Sequence, residues 1–264
     1  MNIFVRELKS NFRSLIIWGA IVFLIILEAI TEFSAFAGNP ELLAIMDSMP
    51  QALLDAFSLQ AFNLTTLSGF FGVIFTYFSL ILSIAAVMWG SDIISKEERD
   101  KTVEFSLSLP VTRSKVITAK ALAALVNCIG LLLITWGISI ALSAKYNPDS
   151  DFYSFLALEM SAIFVLQLVF LAVGIFLGSA MKHYKRASAV AVSLLLGTFF
   201  LSIFAGLSEN LENLKYFTPF KYFDPAMMLH ESKIDFNFVW LSGGIIAVLM
   251  VAAYVTYSKR DLYI

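Results

Sequence analysis

The sequence predicts an all-α integral membrane protein with six transmembrane helices and both termini in the cytoplasm. Three observations carry this. Of 264 residues, 59% are hydrophobic and 14% are charged, against about 25% charged in an ordinary soluble domain. Six runs are nearly free of charge and long enough for the ~20 apolar residues a spanning helix needs. The basic residues alternate in density from one connecting segment to the next. A soluble enzyme of this composition would lack the charge to keep its surface dissolved. The formal net charge of −2 also gives no reason to expect a nucleic-acid partner.

The spans read as 15–37, 67–90, 120–144, 154–181, 187–208 and 237–257, within a single transmembrane domain over 1–264. The first run is interrupted by Glu28 and Glu32, and the fourth by Glu159. None alternates in the way a barrel strand does, so helices are expected. Fourteen of the 18 Lys and Arg residues fall on one set of alternate segments and four on the other. The positive-inside rule therefore places the N-terminus, the segment between spans two and three, and the C-terminus in the cytoplasm. A cleaved secretory signal ending at Ala35-Phe36-Ala37 is the rival reading of the first run; Glu28 and Glu32 fit it poorly.

Ahead of the first span, Phe4, Leu8 and Phe12 recur at helical spacing among Arg6, Lys9 and Arg13. This predicts a short amphipathic helix on the inner membrane surface, with a plain topology-setting basic segment as the alternative. The first outer segment carries Leu42, Met46, Met49, Leu53 and Phe57 around Pro50, and reads as two short interfacial helices. Its triplet Asn63-Leu64-Thr65 matches a glycosylation sequon, a pattern common by chance.

The segment from Asp92 to Lys120 is the most polar in the chain. It predicts a charged helix continuing span two, a stop at Pro110, and a new helix capped by Thr112 that runs into span three. Glu97 and Lys101 form an i, i+4 pair on the first of these. Read by itself, this projection is a solvated connector or a docking surface. In span four, Gly174 and Gly178 have the small-xxx-small spacing that lets helices approach closely, within one chain or between two. The segment from Glu209 to Asp235 is rich in aromatic residues between Pro219 and Pro225 and should lie at the outer interface.

Catalytic signatures are missing. There is no phosphate-binding loop, no Gly-rich dinucleotide turn and no nucleophile elbow. Cys128 is the one cysteine, so no intrachain disulfide and no Cys/His metal cluster is expected. His183 and His230 are expected on opposite sides of the membrane. Glu28, Glu32 and Glu159 are the candidate polar residues of a substrate or cation path. The alternative is that they sit near the hydrocarbon edge and reach headgroup water.

One stretch resembles a known family. Glu97-Glu98-Arg99-Asp100-Lys101-Thr102-Val103-Glu104, then Leu107-Ser108-Leu109-Pro110-Val111-Thr112-Arg113-Ser114-Lys115, then Lys120, is similar to the signature of permeases of ATP-binding-cassette exporters, in particular the type-two, six-span family. Asp100-Lys101 replaces the glycine often found before the threonine, which favours a continuous helix. Pro219-Phe220-Lys221-Tyr222-Phe223-Asp224-Pro225 resembles that family's aromatic outer loop, and Lys259-Arg260-Asp261-Leu262 its C-terminal ending.

The resemblance implies an exporter subunit of the cell (plasma or inner) membrane. It implies two permease chains, identical or different, working in lipid with separate ABC ATPase subunits that hold ATP and Mg. The chain itself would carry no cofactor, metal or catalytic residue. Glu97, Glu98, Arg99, Asp100, Lys101, Thr102 and Glu104 would form the ATPase-coupling helix, and the amphipathic N-terminus a connecting helix. Pro219, Phe220, Tyr222, Phe223, Asp224 and Pro225 would form the outer aromatic loop. Two readings from other classes stand beside it: a secondary transporter coupled to ions through the intramembrane acids, and a non-transporting membrane scaffold.

Overall fold

The computed structural model describes residues 2–37, 39, 50, 62–99, 111–181, 184–207 and 209–259. Its long elements are α1 (Ile3–Phe36), α2 (Leu67–Arg99), α3 (Arg113–Ser143), α4 (Ser150–Ala180), α5 (Tyr184–Gly206) and α7 (Phe236–Lys259). A short helix α6 (Pro225–Glu231) and 3₁₀ turns over Ala144–Tyr146, Glu209–Phe217 and Pro219–Lys221 complete it, with no strand among the described residues. Six of these helices are long and apolar enough to cross a membrane.

Helix starts are set by side-chain caps that satisfy otherwise orphaned N–H groups. Asn2 accepts from Phe4 N in α1, Thr66 Oγ1 from Gly69 N in α2, and Asp149 from Phe152 N in α4. Thr112 accepts from Lys115 N at 3.4 Å, as the sequence predicts for the start of α3. Asn63 of the sequon triplet accepts from both the N–H and the hydroxyl of Thr65, forming the turn that leads into α2.

Specific contacts fix the register. Antiparallel α1 meets α2 through Glu7 with Lys96, Ser14 with Trp89, and Phe33 with Phe70. α2 and α4 lie side by side in the same direction, from the Phe71–Phe152 ring pair at one end to Ser91 against Gly178 at the other. The start of α3 meets the end of α7 through Arg113 with Tyr257, and Ser188 of α5 meets Ser91. Asn2 and Lys259 therefore lie at the same end of the bundle.

The helices are unequally enclosed. The apolar windows of α2 and α4 are 67% buried, those of α1 and α3 28%, and those of α5 and α7 17% and 11%. So α2 and α4 form the core pair, and the others pack around them with one broad apolar face turned outward. Gly174 and Gly178 serve this intrachain contact: they lie against the backbone of Val87, Gly90 and Ser91. The closeness that their spacing suggests is used inside the chain.

The N-terminus differs from expectation. No separate amphipathic helix precedes the first span; residues 3–36 form one uninterrupted helix. That stretch holds no proline, and its one interior glycine, Gly19, is tolerated in a helix. The inward face of its first turns is mixed: Glu7 and Asn11 are buried beside half-buried Phe4 and Leu8, while Phe12 is 57% exposed. The charged continuation of span two is helical to Arg99. Pro110 and the helical repeat of the first outer segment fall outside the described residues.

Candidate functional site

Three places hold the residues singled out by the sequence. The first is the end of the bundle where α1 begins and α2 leaves it. Lys96 Nζ donates to Glu7 Oε2 at 2.6 Å and to Ser10 Oγ at 2.9 Å, and Arg6 reaches Glu7 Oε1 at 3.3 Å. Trp89 Nε1 donates to Ser14 Oγ at 2.9 Å. Glu7 is fully buried, so the pair works in a low dielectric where charge-assisted hydrogen bonds are strong.

Lys120 is also fully buried, and its ammonium donates to the Ile93 carbonyl of α2 at 2.8 Å. Arg113 donates to the carbonyls of Tyr257 and Ser258 at 3.2 and 3.1 Å. These are carbonyls of the last turn of α7, where a cation offsets the negative end of the helix dipole. Two basic residues of the family-like signature thus fix the stems of the polar segment to neighbouring helices. Glu97, Glu98 and Arg99 end α2, but their side chains, and all of Asp100, Lys101, Thr102 and Glu104, lie outside the described residues. Glu7 and Ser10 were not legible as partners of this region, because nothing local marks a contact across 89 positions.

The second place is the opposite end, where the aromatic segment folds over α2, α4, α5 and α7. Phe220 inserts between Phe170 and Phe199, at ring distances of 5.1 and 5.3 Å, and Tyr222 stacks on Phe238 at 5.0 Å. Tyr222 Oη donates to the Tyr216 carbonyl at 2.7 Å, and buried Thr218 donates to the Thr198 carbonyl at 2.8 Å. Asp224 accepts from Ala226 N and caps α6, with Pro225 at its first position. The structure therefore brings Pro219, Phe220, Tyr222, Phe223, Asp224 and Pro225 together as one packed cover.

Beneath the cover is a cavity of about 340 Å³. Its walls include Phe75, Met228 and Phe238, and its charged lining comprises Lys215, Lys221, Lys233, Asp224 and Asp235. Partial burial pulls the Lys221 ammonium below the ordinary lysine range, and the nearby Asp224 carboxylate opposes that shift. Burial pushes the Tyr222 phenol up.

The third place is the set of intramembrane acids, which the chain does not bring together. Glu28 and Glu32 are exposed on the outward face of α1. Glu159 on α4 is fully buried, and neither carboxylate oxygen has a hydrogen-bond partner among the described residues. Gln167, two turns further along α4, is equally buried with its amide unpaired. Buried Cys128 is free. Among the described residues no three His, Cys, Asp or Glu side chains gather as a metal site.

A family profile described as "ABC-2 family transporter protein" matches residues 1–262. A comparison with curated proteins finds no match. The profile spans the six apolar helices, the polar segment between α2 and α3 and the aromatic cover, and the chain belongs to the ABC-2 family of transporter proteins as a multi-pass membrane permease of the type-two class.

Proposed function

We propose that this permease is the membrane half of an exporter driven by ATP hydrolysed, with Mg, on a separate ABC ATPase subunit. Two permease chains, identical or different, would enclose the path in the lipid of the cell membrane, each a single transmembrane domain with both termini cytoplasmic. The observation that carries the reading is the bracket of Glu7–Lys96, Lys120–Ile93 and Arg113–Tyr257. It holds both stems of the polar segment to α1, α2 and α7, so a push on that segment is passed to three helices at once. Glu97, Glu98, Arg99, Asp100, Lys101, Thr102 and Glu104 are the residues that would receive the push.

The test is co-purification of the permease with its ATPase. Reversing Glu97, Glu98 and Arg99 together should lower ATPase recovery about tenfold or more, as loss of several interfacial charge contacts does, while the permease stays monodisperse. Unchanged recovery, or cargo flux by the lone chain in liposomes on a proton or sodium gradient, would sink the reading.

A second reading, transport coupled to an ion gradient, is favoured by the unpaired and fully buried Glu159. Intramembrane acids are costly and commonly functional. Under the ATP-driven reading, Glu159→Gln leaves ATP-dependent transport and its pH profile unchanged. Loss of the pH dependence in that variant would favour the ion-coupled one. Glu28→Gln and Glu32→Gln, exposed on α1, should likewise leave ATP-dependent transport and its pH profile unchanged under the ATP-driven reading.

A further inference from the structure

The cavity under the aromatic cover has a chemical character that membership of a transporter family does not supply. Its lining is divided by depth. Gly72, Phe75, Thr76 and Ser79 lie on α2, about 8–18 Å along the helix from its start at Leu67, at ~1.5 Å per residue. The lysines come instead from the segment between α5 and α7, which forms the rim. An interior of Phe75 and Ile203 interspersed with the hydroxyls of Thr76, Ser79 and Ser202, below a charged rim, matches a molecule with a charged head, a polar linkage beneath it and an apolar chain.

The sign of that head follows from what the lining charges already do. Asp224 accepts from Ala226 N and Asp235 from Asn237 N, each at 2.9 Å, and accepting a hydrogen bond leaves each carboxylate charged, so the lining sets three lysines against two carboxylates, a net positive balance. Among the described residues, Asp224 is the one carboxylate acting on Lys221, through space and without a hydrogen bond, and Lys233 makes no hydrogen bond or ion pair. Lys221 is half-buried, and an ammonium partly stripped of water gains from a counter-anion beside it. The aromatic faces are occupied by one another: Tyr222 by Phe238, and Phe220 by Phe170 and Phe199. That leaves little for a cation to stand on. The volume of about 340 Å³ is at the small end of ligand pockets, which run ~300–1,000 Å³. It suits a headgroup and the first part of one chain, with the rest in the bilayer.

We infer that this cavity binds a membrane amphiphile with an anionic head, the head held between Lys221 and Lys233 and the chain root against Phe75, Met228 and Phe238. Such a molecule has two possible sources, a resident bilayer lipid or the exported cargo. The second rests on the transporter reading above; the first does not.

The experiment uses the full chain purified in an uncharged detergent, with native mass spectrometry as the readout. The probes are lysophosphatidylglycerol, lysophosphatidylcholine and inorganic phosphate. The anionic lysolipid should bind about tenfold more tightly than the zwitterionic one, on the scale expected for two lysines near a lipid surface. Phosphate without a chain should not bind. Lys221→Gln with Lys233→Gln should erase the preference without moving the melting temperature. Should the double variant fold poorly, the exposed Lys233→Gln alone should reduce the preference.

Equal binding of the two lysolipids, phosphate binding as tight as the lysolipid, or a preference that survives the double variant would each overturn the inference. With the partner ATPase reconstituted, ATP-dependent appearance of the anionic lysolipid in the outer leaflet identifies it as cargo. Binding without movement identifies it as resident lipid, and both outcomes support the site. Co-purification with the ATPase is read on the same samples, so failure of the site and failure of the transporter reading are told apart.

Discussion

Replacing Gly174 by leucine should remove most of the folded permease from the membrane. The α2–α4 contact is backbone against backbone there. A Cβ on Gly174 would strike the Val87 carbonyl oxygen and come within 2.9 Å of Ser91 N; one on Gly90 would lie 2.5 Å from the Leu171 carbonyl oxygen. No rotamer change relieves such a clash, because the obstacle is a helix backbone and not a flexible side-chain end. Forcing extra atoms into a packed core costs about 1–3 kcal/mol even where side chains can yield. Here the two most buried helices must separate, so Gly174→Ala should already lower the melting temperature.

The controls lie in the same molecule. Gly137 and Gly197 are exposed, with nothing within 4 Å of an added Cβ. Leucine at either should move the melting temperature by no more than about 2 °C, the range of a surface substitution in a chain this long. The measurement is thermal unfolding in detergent followed by size-exclusion chromatography, alongside the amount of protein in the membrane fraction. A Gly174→Leu protein that melts with the controls would show that the two helices are not in close contact.

That contact also marks how far a sequence can be read. Uncharged runs located the six helices because a bilayer imposes one length and one polarity on every span. Thr112 and the glycine pair were legible because caps and small-residue spacing are local. The three intramembrane acids show the limit. Glu28, Glu32 and Glu159 have the same local signature, an acid within an apolar run. Yet two face outward and one is wholly enclosed, because facing is decided by neighbours far away in the chain. The N-terminal segment was misread for a related reason. Phe4 and Leu8 do pack against the core, but buried Glu7 and Asn11 share their face, and Glu7 meets a lysine 89 positions away, which ties these turns into the bundle as the start of α1. The cavity was invisible because its lining converges from α2, α5, α7 and the segments between.

The same ion pair yields the second large effect. Lys96→Met should destabilise the bundle by about 3 kcal/mol, because a carboxylate left buried without its main partner is worse than no pair at all. Arg6, at 3.3 Å, keeps some of the charge balanced, and the Lys96 side chain is 13% exposed, which holds the loss near the lower end for a broken buried pair. Adding Glu7→Gln to Lys96→Met should then recover part of the stability, since the uncompensated charge goes with it. A double-mutant cycle on denaturant unfolding measures the coupling; strictly additive single effects would mean that the 2.6 Å contact contributes nothing. The functional consequence follows from position. Lys96 is three residues before the end of α2 and grips the first turns of α1. Cutting the grip removes the α1 contact nearest the polar segment and leaves Ser14–Trp89 and Phe33–Phe70, further along the helices, to hold α1 to α2. The doubly neutral variant, stable but without the link, should therefore bind the ATPase normally and transport more slowly, a separation of assembly from transmission that a purely structural pair would not produce.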